Sequence, residues 1–215
     1  MSNFEYIISS LPFLTSDYKY SDGQGFDSVL GEIRENLSEA DAQELDFLLK
    51  GLRGSLLDAD FYAEALAHKN RFIREYFRFD LNLRNAKVRY LNRQLGRDAG
   101  QDVLTGKGRE DDPNLDIDLY RFRGGEFEEQ RKVEDVLDES DLLSRERGLD
   151  DIVWEKTEQL SLFHYLDLTA VMAYVTRLHI VDRWLALDKE KGRELFKRLV
   201  DEVRGTFKGV DYQES

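Results

Sequence analysis

Apolar residues recur every three or four positions through most of the chain, a spacing that places them on one face of an α-helix. The clearest run has its apolar positions at Phe61, Ala65, Leu66, Phe72, Ile73, Tyr76 and Phe77. The pattern resumes beyond Asp80 and stops at Gly96. It leaves open whether residues 61–95 form one bent helix or two helices that meet near Asp80.

Short polar side chains precede several of these runs and predict where the helices begin. Asp27, Ser38 and Asp58 each start a periodic stretch, where a side-chain oxygen can accept a hydrogen bond from a first-turn amide. Ser38 is followed three residues later by Asp41, which is an acidic variant of the capping box. Further amphipathic helices are predicted within residues 127–143, 152–166, 168–187 and 195–203.

Proline is scarce in this chain. It occurs at Pro12 and Pro113, so about a hundred residues between them are free to be helical. The sequence therefore predicts an all-α fold, built as an elongated helical bundle. Residues 4–8 are aromatic and β-branched, and we expect them to form a short N-terminal strand or a buried extended arm.

The middle of the chain loses the helical period. Residues 98–118 are rich in glycine and aspartate, and Gly124 and Gly125 make a second break. We therefore expect an N-terminal helical lobe (1–97), a loop or linker (98–126) and a C-terminal helical lobe (127–215). One continuous domain is the alternative.

Charge is distributed very unevenly. Between residues 69 and 97 the chain carries seven arginines and two lysines against Glu75 and Asp80, a net charge of +7, whereas the whole chain has a net charge of −13. Residues 126–158 hold thirteen acidic and five basic side chains. Such a separation of charge is informative about partners rather than about the fold.

Three interpretations of the basic run remain open. It is a solvated helix face paired with the acidic segment of the same chain, or a surface that docks an acidic protein. The third is a surface for single-stranded nucleic acid, because aromatic residues lie between the arginines and lysines and could stack on nucleobases. A pI near 4.8 and the helical spacing of those aromatics argue against nucleic acid. The candidate docking residues are Arg84, Lys87, Arg89, Arg93 and Arg97.

Candidate chemistry is sparse. Carboxylate–imidazole pairs at helical spacing could bind zinc or iron, and they occur at Asp60, Glu64 and His68, at His164 and Asp167, and at His179 and Asp182. In a chain with 44 acidic residues such pairs arise by chance, so we expect solvated or core histidines. We predict no catalytic, cofactor-binding or metal-binding residue and no cofactor, because neither a phosphate loop nor a nucleophile elbow is visible.

The sequence also bears on location. No stretch approaches the roughly 20 apolar residues that a membrane span needs. Lys19 is the first basic residue, so the N-terminus lacks the basic region of a signal peptide. Cysteine is absent, so the protein has no disulfides and is compatible with a reducing compartment. We therefore expect a cytoplasmic protein.

Short motifs resemble a known family. The segment Phe79-Asp80-Leu81-Asn82-Leu83-Arg84, followed by Arg89, resembles a helix that recurs in the C/d subunit of V-type and A-type rotary ATPases. Residues 173–183 resemble the closing helix of that subunit. Residues 6–12 resemble an uncharacterised bacterial family that is encoded beside V-type ATPase subunits.

The resemblance implies an all-helical, non-catalytic subunit. It would sit on the cytoplasmic mouth of the membrane rotor ring, receive the central stalk and so take part in proton or sodium transport. Its partners would be the ring and stalk subunits, it would be peripheral to the membrane through protein contacts, and no nucleic acid is expected. The alternatives are a free-standing cytosolic helical adaptor and a metal-dependent helical enzyme.

Overall fold

The computed structural model of the protein describes residues 2–15, 17, 19–20, 25–54, 57–104 and 127–186. These residues form eight α-helices: α1 (Phe4–Ser10), α2 (Phe26–Glu35), α3 (Glu39–Leu52), α4 (Ala59–Leu66), α5 (Arg71–Gln94), α6 (Gln130–Leu137), α7 (Leu142–Ser161) and α8 (Leu168–Ala186). Two short antiparallel strands, β1 (Leu14–Thr15) and β2 (Lys19–Tyr20), pair with Leu14 opposite Tyr20. The all-α prediction is confirmed. In the described part of the chain, no helix is both long and apolar enough to cross a bilayer.

Two of the three predicted N-caps are confirmed. The Ser38 hydroxyl accepts a hydrogen bond from the Asp41 backbone N–H, and an Asp58 carboxylate oxygen accepts one from the Phe61 N–H at 2.9 Å. The prediction for Asp27 is wrong, because α2 begins at Phe26 and the N-cap position is Gly25. Asp27 instead lies in the first turn, where its negative charge suits the positive end of the helix dipole.

The prediction of a strand or extended arm at residues 4–8 is also wrong, because these residues belong to α1. The Asn3 side chain accepts a hydrogen bond from the Tyr6 N–H at 3.1 Å and so caps the helix. Ile7 is buried, and packing of this face outweighs the β preference of the residues. The helix ends at Ser10, and Leu11 after it has the extended backbone that a residue before proline prefers.

The long amphipathic run between residues 61 and 95 is two helices, but they do not meet near Asp80. The break lies at residues 67–70, and Asp80 is in the interior of α5. The Asn70 side chain accepts hydrogen bonds from the backbone N–H groups of Phe72 (2.9 Å) and Ile73 (3.4 Å). This cap starts α5 with a new direction after α4.

The predicted stop at Gly96 is confirmed. Gly96 has a φ of +64°, a conformation that glycine adopts without steric cost. The N–H of Arg97 bonds to the Asn92 carbonyl at 2.8 Å, and the N–H of Gly96 bonds to the Arg93 carbonyl at 3.1 Å. This pair of bonds is the Schellman motif, which satisfies the last carbonyls of α5.

The loop after α5 is fixed at its beginning. Asn85, which is buried in α5, donates to the Leu104 carbonyl and accepts from the Leu104 N–H, both at 3.0 Å. Asn92 donates to the Gln101 carbonyl at 2.6 Å. Residues 98–104 therefore follow the side of α5. Most of the predicted linker (105–126) and the predicted helix at 195–203 lie outside the described residues.

The helices surround two main hydrophobic cores. The larger one combines α1 to α5 with α8, whose Val171, Met172, Val175 and Leu178 are fully buried. The second joins the C-terminal half of α5 to α6 and α7, and its buried members are Phe79, Leu83, Ala86, Val133, Leu137, Leu149 and Ile152. Helices from both predicted lobes thus share the larger core, and α5 belongs to both cores.

Candidate functional site

The five candidate docking residues do not lie on one side of α5. Successive residues of an α-helix are rotated by about 100°, so Arg84 and Lys87 lie roughly 60° apart and on the same side. Arg93 follows Arg84 by nine residues and therefore points about 180° away from it. Arg89 lies beside Arg93, and Arg97 follows the end of the helix in an exposed position. The structure therefore divides the candidates into two groups.

The second group belongs to a longer row of arginines. Residues that are 3, 4, 7 or 11 positions apart return to the same side of a helix. This spacing connects Arg71, Arg74, Arg78, Arg89 and Arg93. Together with Arg97, which follows the end of the helix, we call these residues the basic stripe. Sequence reasoning proposed its C-terminal half only. The N-terminal half follows the same helical spacing, which becomes evident when residues 71–94 are treated as one helix.

Some arginines of the stripe are held by neighbouring groups. Arg93 donates to a Glu134 carboxylate oxygen of α6 at 2.8 Å, and this hydrogen bond lowers the pKa of Glu134. Arg78 donates to both oxygens of Glu75 at 2.9 Å. Arg93–Glu134 joins the basic run to the acidic segment, so internal pairing accounts for part of the stripe. Ion pairs near the surface contribute little stability, and they orient the side chains.

On the other side of α5, Arg84 is held by Asp80. The Nε of Arg84 donates to Asp80 Oδ2 at 2.8 Å, and the hydroxyl of Tyr62 donates to the same oxygen at 2.6 Å. Burial, together with Asp80, raises the pKa of Tyr62, so this hydroxyl stays protonated and remains a donor. Because the bond from Arg84 uses Nε, its Nη groups can donate to a further acceptor.

A second arginine is held in the same way. Asp150 of α7 is 7% exposed and accepts hydrogen bonds from Arg183 and, at 2.5 Å, from the indole N–H of Trp184. One cavity of about 450 Å³ is lined by both carboxylates, Asp80 and Asp150, and by the arginines that they hold, Arg84 and Arg183. We call it the charged cavity. It lies among α5, α7 and α8, beside the end of α3.

Three polar residues of the charged cavity have no polar partner within the described residues. Tyr76 is 5% exposed, and its hydroxyl has no hydrogen bond there. Lys87 and Glu146 form no ion pair in the same part of the chain. Burial raises the pKa of Tyr76, and the nearby Asp80 raises it further, so the hydroxyl stays protonated. The cavity therefore contains donors that no described protein group uses.

The histidines are scattered. His68 Nδ1 accepts from the Asn70 N–H at 3.1 Å, and His164 lies 2.5 Å from a carboxylate oxygen of Asp167. His179 contacts the ring of Phe26, with 5.9 Å between ring centroids, and burial lowers its pKa. Within the described residues, no three potential metal ligands come close enough to hold one ion.

The chain matches the family described as a protein of unknown function (DUF2764) over residues 51–206. It belongs to this family. The DUF2764 match includes all of α4 to α8, and so both the basic stripe and the helices around the charged cavity. No curated protein and no solved structure matches the chain.

Proposed function

We propose that this DUF2764 protein is a non-catalytic subunit of a V-type or A-type rotary ATPase, where it links the central stalk to the membrane rotor ring. Its partners are then protein subunits of that complex. The protein sits on the cytoplasmic side, peripheral to the membrane through protein contacts, and contributes to proton or sodium transport without a catalytic site of its own.

The segments that resemble the C/d subunit lie in two neighbouring parts of the fold. Residues 79–84 form the middle of α5, and residues 173–183 form most of α8. Both helices contribute to the larger core and to the walls of the charged cavity. The resemblance therefore concerns the interior framework of the molecule, on which a docking surface depends.

The observation that carries the proposal is the basic stripe on a well-supported helix. α5 has 24 residues, which corresponds to a length of about 36 Å. Its N-terminal half packs in the larger core and its C-terminal half in the second core. A row of arginines on such a helix favours electrostatically guided docking to an acidic partner, because complementary potentials steer the encounter and set its register.

A linking subunit also needs a second surface, and the turn between α7 and α8 provides one of different chemistry. Leu162, Phe163, Tyr165 and Leu166 are all exposed in this turn, with Phe163 82% exposed. Clustered exposed apolar side chains are typical of protein contacts. A charged side of α5 and an apolar turn would let the protein hold two partners at once.

The first test is co-purification with the ring and stalk subunits of a V-type ATPase after joint expression. We expect Arg89→Glu, Arg93→Glu and Arg97→Glu together to reduce recovery of the partners at least tenfold. Recovery of the unchanged protein should fall as salt is raised, because the screening length shrinks from about 10 Å at 0.1 M to about 3 Å at 1 M.

A matched control carries the same change in net charge on another surface. Arg34→Glu, Lys50→Glu and Arg53→Glu alter exposed positions of α2 and the end of α3. This triple variant should keep the partners at the level of the unchanged protein. Equal losses in both triple variants would show that net charge alone matters, and full retention by the stripe variant would contradict docking through the stripe.

A further inference from the structure

The charged cavity has the size of a small-molecule site. Its volume of about 450 Å³ falls within the range of roughly 300–1,000 Å³ that is typical of ligand pockets. Part of its wall is apolar, formed by side chains such as Leu52, Leu83, Leu149, Val153 and Ile180. The rest of the wall is polar and includes six charged side chains, which can orient a ligand.

We propose that the charged cavity binds a small organic acid, with its single carboxylate facing Tyr76, Arg84 and Lys87 and its apolar body against the apolar wall. This site is independent of the proposed role in a rotary ATPase. It lies on the side of α5 opposite to Arg93 of the basic stripe.

The arginines are oriented before any ligand arrives. Asp80 holds Arg84 at 2.8 Å, and Asp150, itself held by Trp184, holds Arg183. Each carboxylate is therefore already neutralised, while each guanidinium keeps donors for a further acceptor. A side chain that is fixed in advance loses less entropy when it binds, so the arrangement favours an anionic oxygen as the ligand group.

Tyr76 and Lys87 supply the unused donors. The side chain of Tyr76 is largely buried, and it lines the cavity together with both Asp–Arg pairs. Its hydroxyl has no hydrogen bond within the described residues, so it can donate to a ligand. Lys87 lies one turn after Arg84 on the same side of α5 and has no ion-pair partner within the described residues. Both side chains donate, so both match a carboxylate.

Glu146 sets the charge of the ligand. With the two Asp–Arg pairs balanced, Lys87 and Glu146 are the remaining opposite charges of the cavity. Lys87 can balance one negative charge on the ligand, against some repulsion from Glu146. A second negative charge would find no further cation among the lining residues to balance it. This balance predicts that removal of Glu146 strengthens binding and that removal of Lys87 weakens it.

The test is calorimetric titration of the full chain with 3-phenylpropionate and with its neutral counterpart 3-phenylpropanamide. We expect the acid to bind at least tenfold more tightly than the amide. Tyr76→Phe and Lys87→Gln should each weaken binding of the acid at least threefold, and Glu146→Gln should strengthen it. Arg97→Gln, which removes an exposed charge beyond the end of the same helix, should leave the affinity unchanged.

Several results would overturn the proposal. These are equal affinity for acid and amide, no binding by the folded protein at millimolar acid, or unchanged affinity in Lys87→Gln. A peptide that ends in phenylalanine with a free carboxyl group is a further probe, and binding of this peptide without binding of 3-phenylpropionate would also overturn it. Circular dichroism of each variant confirms that it is folded. Acid binding by a protein that fails to co-purify with ATPase subunits would contradict the proposed function and leave this site standing.

Discussion

At Gly51, α3 packs directly against aromatic side chains of α4 and α5. A Cβ at this position would lie 2.2 Å from Cζ of Phe77 and 2.7 Å from Cζ of Phe61. Phe61 and Phe77 also pack edge to face, with 4.9 Å between ring centroids, so neither ring can move without disturbing the other. The absence of a side chain at Gly51 is thus what lets the helix pack so closely.

Gly51→Ala should destabilise the protein by about 1–3 kcal/mol, which is the usual cost of overpacking a core. Alanine gains roughly 0.5–1 kcal/mol of helix propensity, and this gain offsets the cost only partly. Urea unfolding followed by circular dichroism measures the difference. Gly31→Ala in α2 is the matched control, because a Cβ there meets nothing within 4 Å and should stabilise the protein. Equal stabilisation by both variants would contradict the close approach.

At the scale of one element, Asn85 connects α5 to the loop that follows it. Both polar groups of its side chain bond to the backbone of Leu104, which packs against the larger core. Loss of this side chain would leave the Leu104 N–H and carbonyl without these partners. The expected cost is about 1–3 kcal/mol, as for other buried polar groups that lose a partner.

We therefore expect Asn85→Ala to lower the free energy of unfolding by about 2 kcal/mol and to speed hydrogen exchange at the Leu104 amide. Mass spectrometry of exchanged peptides gives the second measurement. Asn82→Ala, on the same helix and with no such bonds in the described part of the chain, should change stability by less than about 0.5 kcal/mol. Unchanged exchange at Leu104 in Asn85→Ala would show that other contacts hold the loop.

Local signals predicted the elements well where a single side chain decides them. Ser38 and Asp58 cap helices, and Gly96 ends one, because each acts through bonds to its own neighbours. The break between α4 and α5 was missed because the apolar period continues across it, and the Asn70 cap is a weak signal inside a periodic run. Residues 4–8 formed a helix because burial of one face outweighed their intrinsic preference.

The candidate site was predictable only in part. The charge of residues 69–97 marked α5, and helical spacing could have separated Arg84 from Arg93. The charged cavity could not be found in this way. It requires Asp150 and Arg183, which lie far along the chain from Asp80 and reach it only through packing of α7 and α8. Tyr76 was read as an ordinary core aromatic, since nothing in a sequence marks a hydroxyl that lacks a partner.

At the scale of the whole molecule, α8 determines whether the two predicted lobes can exist apart. Its side chains Val171, Met172, Val175 and Leu178 are fully buried, and they lie in the core formed by α1 to α5. Removal of α8 would expose the part of this core that its side chains cover. Four buried side chains at about 1.5–3 kcal/mol each amount to about 6–12 kcal/mol, which is comparable to the whole stability of a typical domain.

We therefore expect a fragment of residues 1–104 to lack cooperative urea unfolding. Mixing it with a separately produced fragment of residues 127–215 should restore a near-ultraviolet circular dichroism signal, because the aromatic side chains regain a fixed environment. The full chain provides the reference signal. Cooperative unfolding of the 1–104 fragment by itself would establish two independent domains and contradict a shared core.

The length of α5 is constrained as strictly as its composition. The helix carries the basic stripe on one side, and elsewhere it carries core residues and the wall of the charged cavity, which have Leu83 in common. One residue inserted between Arg78 and Arg84 would rotate every later side chain by about 100° relative to the earlier ones. Leu83 would leave its core, and the two halves of the stripe would no longer align. Within this helix, relatives of the protein should therefore differ by substitution and almost never by insertion or deletion.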